Sequence, residues 1–235
     1  MLQKVIIFLG IMTFFSMNLL AQNTKDFTDS KIKHKEQNMR VYIVHGFDSS
    51  PDKNWFRWLE DKLKKKDISV DILSLPNPQN PNLTKWIATL DSSIKLGHET
   101  YLVGHSLGCI TILQYLQSKA QKTNTKAQSM TDKKNIIIGG FVLVSGFYES
   151  LSILPQLDSF LKPPLDFTAL KALSPNRVVI SAKDDMIVPT ELSKNLSHKL
   201  SAKFIQTQNG GHFMESDGYT EMPLVLESLE AMFKK

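Results

Sequence analysis

The sequence predicts an α/β domain: a six-stranded, mostly parallel, doubly wound sheet with helices on both faces. Three observations carry this reading. Six short runs rich in Val and Ile recur along the chain, at 41–44, 68–73, 101–103, 141–145, 177–181 and 203–207. Segments with helical spacing of apolar residues separate most of them, and continuous apolar strands fit a sheet covered on both sides. Finally, Ser, Asp and His residues cluster just past the ends of these runs, where ligands of doubly wound sheets collect.

Val41-Tyr42-Ile43-Val44 opens the pattern and runs into His45-Gly46-Phe47-Asp48. A helix over 53–66 follows, with Trp55, Leu59 and Leu63 spaced by four and Trp58 alongside. After the strand at 68–73, three prolines in Leu75-Pro76-Asn77-Pro78-Gln79-Asn80-Pro81 exclude a regular element. A helix over 82–96 carries Trp86, Ile87, Leu90 and Ile94, and the strand at 101–103 leads directly into Gly104-His105-Ser106-Leu107-Gly108. The next helix spans 107–119, with Ile110, Leu113 and Leu116 on its apolar side, and the polar, lysine-rich residues 121–135 read as an exposed excursion. Phe141 to Ser145 is the fourth strand. The apolar stretch 149–173 is either a small cap over Ser106 or a helix packed flat on the sheet. A helix at 190–200 lies between the last two strands, and another containing Leu224, Leu229 and Phe233 closes the chain.

The first residues are of another kind. Lys4 precedes an uncharged apolar run from Val5 to Leu20, followed by Ala21, Gln22 and Asn23. This is the pattern of a secretory signal peptide cleaved after Ala21, although Leu19 occupies a position where a small residue is usual. At about 16 residues the run is short for a membrane span, so export to the periplasm or medium is expected, with a membrane tether as the alternative. Residues 22–39 read as a polar linker and 40–235 as a single domain. With one cysteine, Cys109, the chain has no internal disulfide and depends on its core. The formal net charge is +5, but no basic stripe is interleaved with aromatics, so nucleic acid is not an expected partner.

The chemistry sits at the strand ends. A G-x-S-x-G string means little alone; between a strand and a helix it marks a strained turn that lifts Ser106 above the sheet. Side chains at 104 or 108 would collide with neighbouring backbone there. A serine nucleophile needs a base and an acid to orient it. His212 follows the last strand in Gly210-Gly211-His212-Phe213, and Asp184-Asp185 follows the fifth. The order serine, acid, histidine is that of one of the three known triad arrangements. The residues alone do not separate Asp184 from Asp185: one is expected to meet His212, the other to cap a turn or face solvent. An oxyanion hole is expected from the N–H of Leu107 and that of Phe47 or Asp48. His45 reads as structural and Cys109 as packed rather than reactive. Phe47, Asn77, Pro78 and Phe147 are candidate pocket residues.

Taken together, these segments resemble the small α/β-hydrolases of the RBBP9/YdeN family, and most of all its bacterial YdeN branch. The resemblance runs over about residues 40–235. It rests on Val41-Tyr42-Ile43-Val44-His45-Gly46-Phe47, Asn54-Trp55-Phe56-Arg57-Trp58-Leu59, Leu75-Pro76-Asn77-Pro78 and Leu102-Val103-Gly104-His105-Ser106-Leu107-Gly108-Cys109. It continues through Val144-Ser145-Gly146-Phe147, Ser181-Ala182-Lys183-Asp184-Asp185 and Gly210-Gly211-His212-Phe213 with Gly218-Tyr219. It implies an α/β-hydrolase fold with six parallel strands and little or no cap, and Ser106, Asp185 and His212 as nucleophile, acid and base. It also implies hydrolysis of small acyl esters without metal or cofactor. The apparent signal peptide departs from a family that is usually cytoplasmic.

The expected partner is therefore a small-molecule ester or acyl substrate, with no specific protein partner and a monomeric or weakly dimeric state. Amidase, peptidase or thioesterase chemistry would use the same groups. A non-catalytic binding protein on this scaffold is the contrasting reading.

Overall fold

Alternation along the central strands sends side chains to two separate cores, one on each face of the sheet. The computed structural model describes residues 39–126 and 137–234. Its strands are β1 (Arg40–Val44), β2 (Ser69–Leu73), β3 (Thr100–His105), β4 (Gly140–Val144), β5 (Arg177–Ala182) and β6 (Lys203–Thr207). They form one all-parallel sheet in the order β2-β1-β3-β4-β5-β6, the arrangement of an α/β-hydrolase.

The helices are α1 (Phe56–Lys64), α2 (Leu83–Ser93), α3 (Leu107–Lys126), α4 (Phe167–Leu173), α5 (Thr190–Leu200) and α6 (Pro223–Phe233). Tyr42, Val44, Leu102, Phe141, Leu143 and Val179 face the core shared with α2, α3, α4 and α5. Val41, Ile43, Val103, Val142, Val178 and Ile180 face the core shared with α1 and α6. Both sides of the sheet are thus covered, which is why β1, β3 and β4 read as unbroken apolar runs. Burying each such side chain contributes about 1.5–3 kcal/mol relative to leaving it exposed.

Local signals explain the helix starts. The Asn82 side chain accepts from the Lys85 N–H at 3.1 Å, and Asp166 accepts from the N–H groups of Thr168 and Ala169, both at 3.0 Å. Each satisfies donors that the first helical turn leaves open. The helix expected at 53–66 begins only at Phe56, because Asn54 adopts a left-handed backbone, φ 57°.

Other parts of the chain also differ from the sequence reading. Met39, assigned there to the linker, is buried, and its carbonyl accepts from the Ser69 N–H at 3.1 Å. α3 continues to Lys126, past the expected end at 119, because no Gly or Pro stands in it after Gly108. The apolar stripe ends before the helix does. A further difference is in 149–173, where a 3₁₀ helix (Pro155–Leu161) and α4 pack against α3. Leu157, Phe160, Leu170 and Leu173 are buried there. Gln114 donates to the carbonyls of Phe160 and Pro163, and Gln117 to that of Pro164. The stretch is packed rather than a cap, against the helix more than against the sheet. The apolar segment 1–21, the rest of the linker and residues 127–135 of the polar excursion lie outside the described residues.

Because β2 lies on one side of β1 and β3 on the other, the chain reverses its winding direction between β1 and β3. A crevice opens beyond their carboxyl ends at such a point.

Candidate active site

Ser106 stands at this reversal, between β3 and α3. Its backbone is left-handed, φ 53°, a costly conformation for a residue with a side chain. The turn is held by the Ser106 N–H donating to Val144 O at 2.9 Å and by Cys109 N–H donating to Ser106 O at 2.9 Å. The residues around the turn must be small. A Cβ at Gly104 would lie 2.9 Å from the backbone of Cys109, and one at Gly46 would lie 3.0 Å from the Cβ of Ser106. Leu107 is the first residue of α3, so its N–H has no acceptor within the helix.

Asp185 and His212 meet across the carboxyl ends of β5 and β6. His212 Nδ1 lies 2.9 and 3.1 Å from the two carboxylate oxygens of Asp185, and both residues are buried. Asp185 is saturated with donors. Its Oδ1 accepts from the N–H groups of Ile187 and Val188, each at 2.9 Å, and its Oδ2 from the Ser145 hydroxyl at 2.8 Å. Burial works to raise the carboxyl pKa. The His212 ring, the Val188 N–H and Ser145 outweigh it and hold Asp185 below the usual carboxylate range. The aspartate is therefore anionic at neutral pH and fixes the ring with Nδ1–H toward itself, leaving Nε2 for the cleft.

The ambiguity in the Asp184-Asp185 pair is resolved by geometry. Asp184 turns away from the ring and accepts from the Gly211 N–H at 2.9 Å, so it caps the turn that carries His212. Asp217 does the same from the other side, accepting from the N–H groups of His212 at 3.0 Å and Met214 at 3.1 Å. Gly211 has φ 52°, and a Cβ there would lie 2.8 Å from the Asp217 carboxyl carbon.

Ser106 and His212 share the wall of a small cleft of about 190 Å³. One flank is formed by residues 46–49 with Lys53 and Asn54, the other by Met214, Glu215 and Ser216. The flanks are tied together. Lys53 Nζ donates to Glu215 Oε1 at 2.8 Å, the Glu215 N–H to Asn54 Oδ1 at 3.1 Å, and Trp55 Nε1–H to the Phe213 carbonyl at 3.1 Å.

Of the candidate pocket residues, Phe47 lines this cleft; Asn77, Pro78 and Phe147 do not. Phe147 turns inward and packs in the core, Asn77 is exposed, and the Pro78 carbonyl accepts the Asp48 N–H at 2.8 Å. That bond corrects the oxyanion assignment as well. The Asp48 amide is committed to Pro78, which leaves the Phe47 amide as the donor available from this loop. Lys53, Asn54 and residues 214–216 escaped the sequence reading. The visible signals were that Asn54 opens the Asn54–Leu59 segment of the resemblance, with Lys53 beside it, and that 214–216 follow His212 closely.

Two further buried histidines, His45 and His105, and the buried Cys109 lie around the site. His45 Nδ1–H donates to the Gly46 carbonyl at 2.9 Å while Nε2 accepts from the Leu75 N–H at 3.3 Å, so both ring nitrogens are used. Cys109 is fully buried, its thiol 3.3 Å from Val144 O, and burial pushes the thiol pKa up. His105 is buried against Trp55 and Phe56, and desolvation lowers its pKa from 6.5 to about 3.

These two buried neutral histidines predict an acid sensitivity. Below about pH 6.5 an unfolded chain protonates both, whereas the native state protonates neither until lower pH. The unfolded state then binds more protons, so stability falls as pH falls, by up to about 1.4 kcal/mol per pH unit for each histidine. Asp185 contributes in the same direction only lower, as pH falls below the ordinary carboxylate value of 3.8 and through its depressed native value. Urea midpoints should therefore drop steadily between pH 6.5 and 5. A midpoint constant over that interval would show that neither ring is held neutral.

Comparison with known proteins supports the fold and the family. The sequence profile of the family described as "Serine hydrolase" matches residues 41–231. The chain is 39% identical over 197 residues to YdeN of Bacillus subtilis (strain 168), covering 83% of this chain and 97% of that protein. The crystal structure of the ydeN gene product superposes with a TM-score of 0.75, covering 84% of this chain and all of that one. Serine hydrolase RBBP9 of Rattus norvegicus is 19% identical over 177 residues, covering 74% of this chain and 86% of the relative. A structure from a study of LipS and LipT, two metagenome-derived lipolytic enzymes, shares the fold at 13% identity. Its TM-score is 0.59, over 83% of this chain and 93% of that one.

Proposed function

The chain belongs to the serine hydrolase family, and on that premise we propose that it cleaves small acyl esters through Ser106, His212 and Asp185. The observation that carries the proposal is the buried pairing of His212 Nδ1 with Asp185 beside a strained Ser106 on the same cleft. That pairing leaves the second ring nitrogen free to take a proton.

In this mechanism, Ser106 Oγ bonds to the ester carbonyl carbon while His212 Nε2 takes its proton. The oxyanion rests on the Leu107 and Phe47 N–H groups, donors fixed before the reaction begins. The intermediate collapses, the bond to the alkoxy oxygen breaks, and His212 returns the proton to the departing alcohol. Water, deprotonated in turn by His212, attacks the acyl carbon; the bond to Ser106 Oγ breaks, His212 returns the proton to Oγ, and the acid leaves. Asp185 stays ionised and stabilises the imidazolium formed in each half-reaction. A cleft of about 190 Å³, with Asp48, Ser49 and the Lys53–Glu215 pair among its walls, supports compact acyl groups over long lipid chains.

The test is covalent. A fluorophosphonate probe should add to the native protein at one site, mapped to Ser106 by mass spectrometry, and short p-nitrophenyl esters should turn over faster than long-chain ones. Absence of labelling in folded protein would remove the proposal.

A further inference from the structure

Resting on the reading of Ser106 and His212 as nucleophile and base, we propose that His105 is a positioning residue. It is the strut by which the serine turn sets the height of the His212 ring.

The backbone of His212 is gripped at both polar ends. Its N–H donates to Asp217 at 3.0 Å, and its carbonyl is 2.8 Å from Nε2 of His105. A carbonyl only accepts, so His105 carries its proton on Nε2. With the side chain pinned by Asp185, every polar group of His212 except Nε2 is committed. Asp184, Asp185 and Asp217 hold the residue from its own side of the sheet. Among the described residues, His105 is the one that hydrogen-bonds to it from the serine side, because it is the last residue of β3 and the direct neighbour of Ser106.

The ring is built for that one bond. It is 2% exposed and lies edge-on to Trp55 and Phe56, with centroids 6.1 and 6.0 Å away, and 5.0 Å from the His212 ring. Its Nδ1 is buried and has no hydrogen-bond partner. A buried acceptor without a donor is unfavourable. For packing alone, phenylalanine would fill the same space without the penalty. What the imidazole adds over a phenyl ring is the N–H toward His212. Burial also keeps the ring neutral, so no second positive charge stands beside the imidazolium that forms on His212.

The Ser106–His212 distance is then set from both strands at once, which matters because small misplacements of a base cost large factors in rate. A purely structural role would instead appear in stability.

The experiment compares wild type, His105→Phe and His105→Gln by their kinetics of fluorophosphonate labelling, with thermal melts of all three. His105→Phe should melt within a few degrees of wild type. Its maximal labelling rate should fall about 10- to 100-fold, and its half-saturating probe concentration should stay within about twofold. His105→Gln, whose amide N–H can reach the same carbonyl, should recover most of the rate. If His105→Phe labels within twofold of wild type, or if Phe and Gln are equally slow, the strut is refuted. If the Phe variant does not fold, the Gln variant decides alone: a rate near wild type supports the strut, and a rate 10-fold or more below it refutes it. Failure of wild type to label would refute the underlying reading and the inference together, and is distinguishable because the variants would then not differ from it.

Discussion

Ser106→Ala is expected to lower ester hydrolysis by on the order of 10³-fold or more, with the fold intact. The substitution removes only Oγ. The left-handed backbone persists, because the bonds from Ser106 N–H to Val144 and from Cys109 N–H to Ser106 O do not involve the side chain. The loss falls on kcat, since the missing bond exists only in the transition state and the acyl-enzyme. His212→Ala should cost a similar factor. Asp185→Asn should cost somewhat less than either, because the Asn amide presents the wrong hydrogen-bond partner to the ring and favours the other tautomer. The three effects should not add: a double variant should be little worse than the poorer single one, because the groups act as a unit. The measurement is kcat and KM on a short p-nitrophenyl ester. A drop below tenfold for Ser106→Ala would overturn the mechanism.

Gly108→Ala should be among the most destabilising single-methyl changes in the chain. Gly108 is the second residue of α3, where the helix starts against the end of β1. A Cβ there would lie 2.7 Å from the carbonyl oxygen of His45 and nearer still to that of Val44. Both obstacles are backbone, and Val44 is in the ladders with β2 and β3, so neither can rotate aside. The helix would have to move outward, losing contacts along Ile110, Leu113 and Leu116. Overpacking of this kind costs about 3 kcal/mol, which corresponds to a fall in Tm of roughly 10 °C for a domain of this size. Gly97→Ala is the control: a Cβ there meets nothing within 4 Å, so its Tm should stay within about 2 °C. If Gly108→Ala behaved like the control, the close docking of α3 on β1 would be wrong.

The centre of the sheet was legible in the sequence because burial on two faces writes β1, β3 and β4 as unbroken apolar runs between helical segments. The site was partly legible for a related reason: parallel strands send all their carboxyl ends to one edge, so residues just past them must converge. Ser106, His212 and an aspartate could be named on that basis. Which aspartate could not be chosen from chemistry, since adjacent carboxylates differ only in direction. That direction is set by the turn in which the N–H groups of Ile187 and Val188 close on Asp185 Oδ1. The cleft walls were not legible either. Phe147 and Met214 both follow strands as apolar residues, but Ser145 leaves β4 in a left-handed conformation, φ 51°, and Phe147 lies in the core beyond it. The commitment of the Asp48 amide to Pro78 joins two loops 30 residues apart, and no local pattern announces it. The run to Lys126 in α3 was missed because its polar last residues carry no apolar period to count.

The sealed thiol of Cys109 has a practical side. It is the chain's one cysteine, and with no exposure and a thiol held in its protonated form it is invisible to alkylating dyes while the protein is folded. A reporter can therefore be installed without first deleting anything. Met186, one residue past Asp185 and 85% exposed, is the natural site. The variant Met186→Cys would carry a single reactive sulfur beside the acid of the site, where a fluorophore can follow occupancy of the cleft in real time.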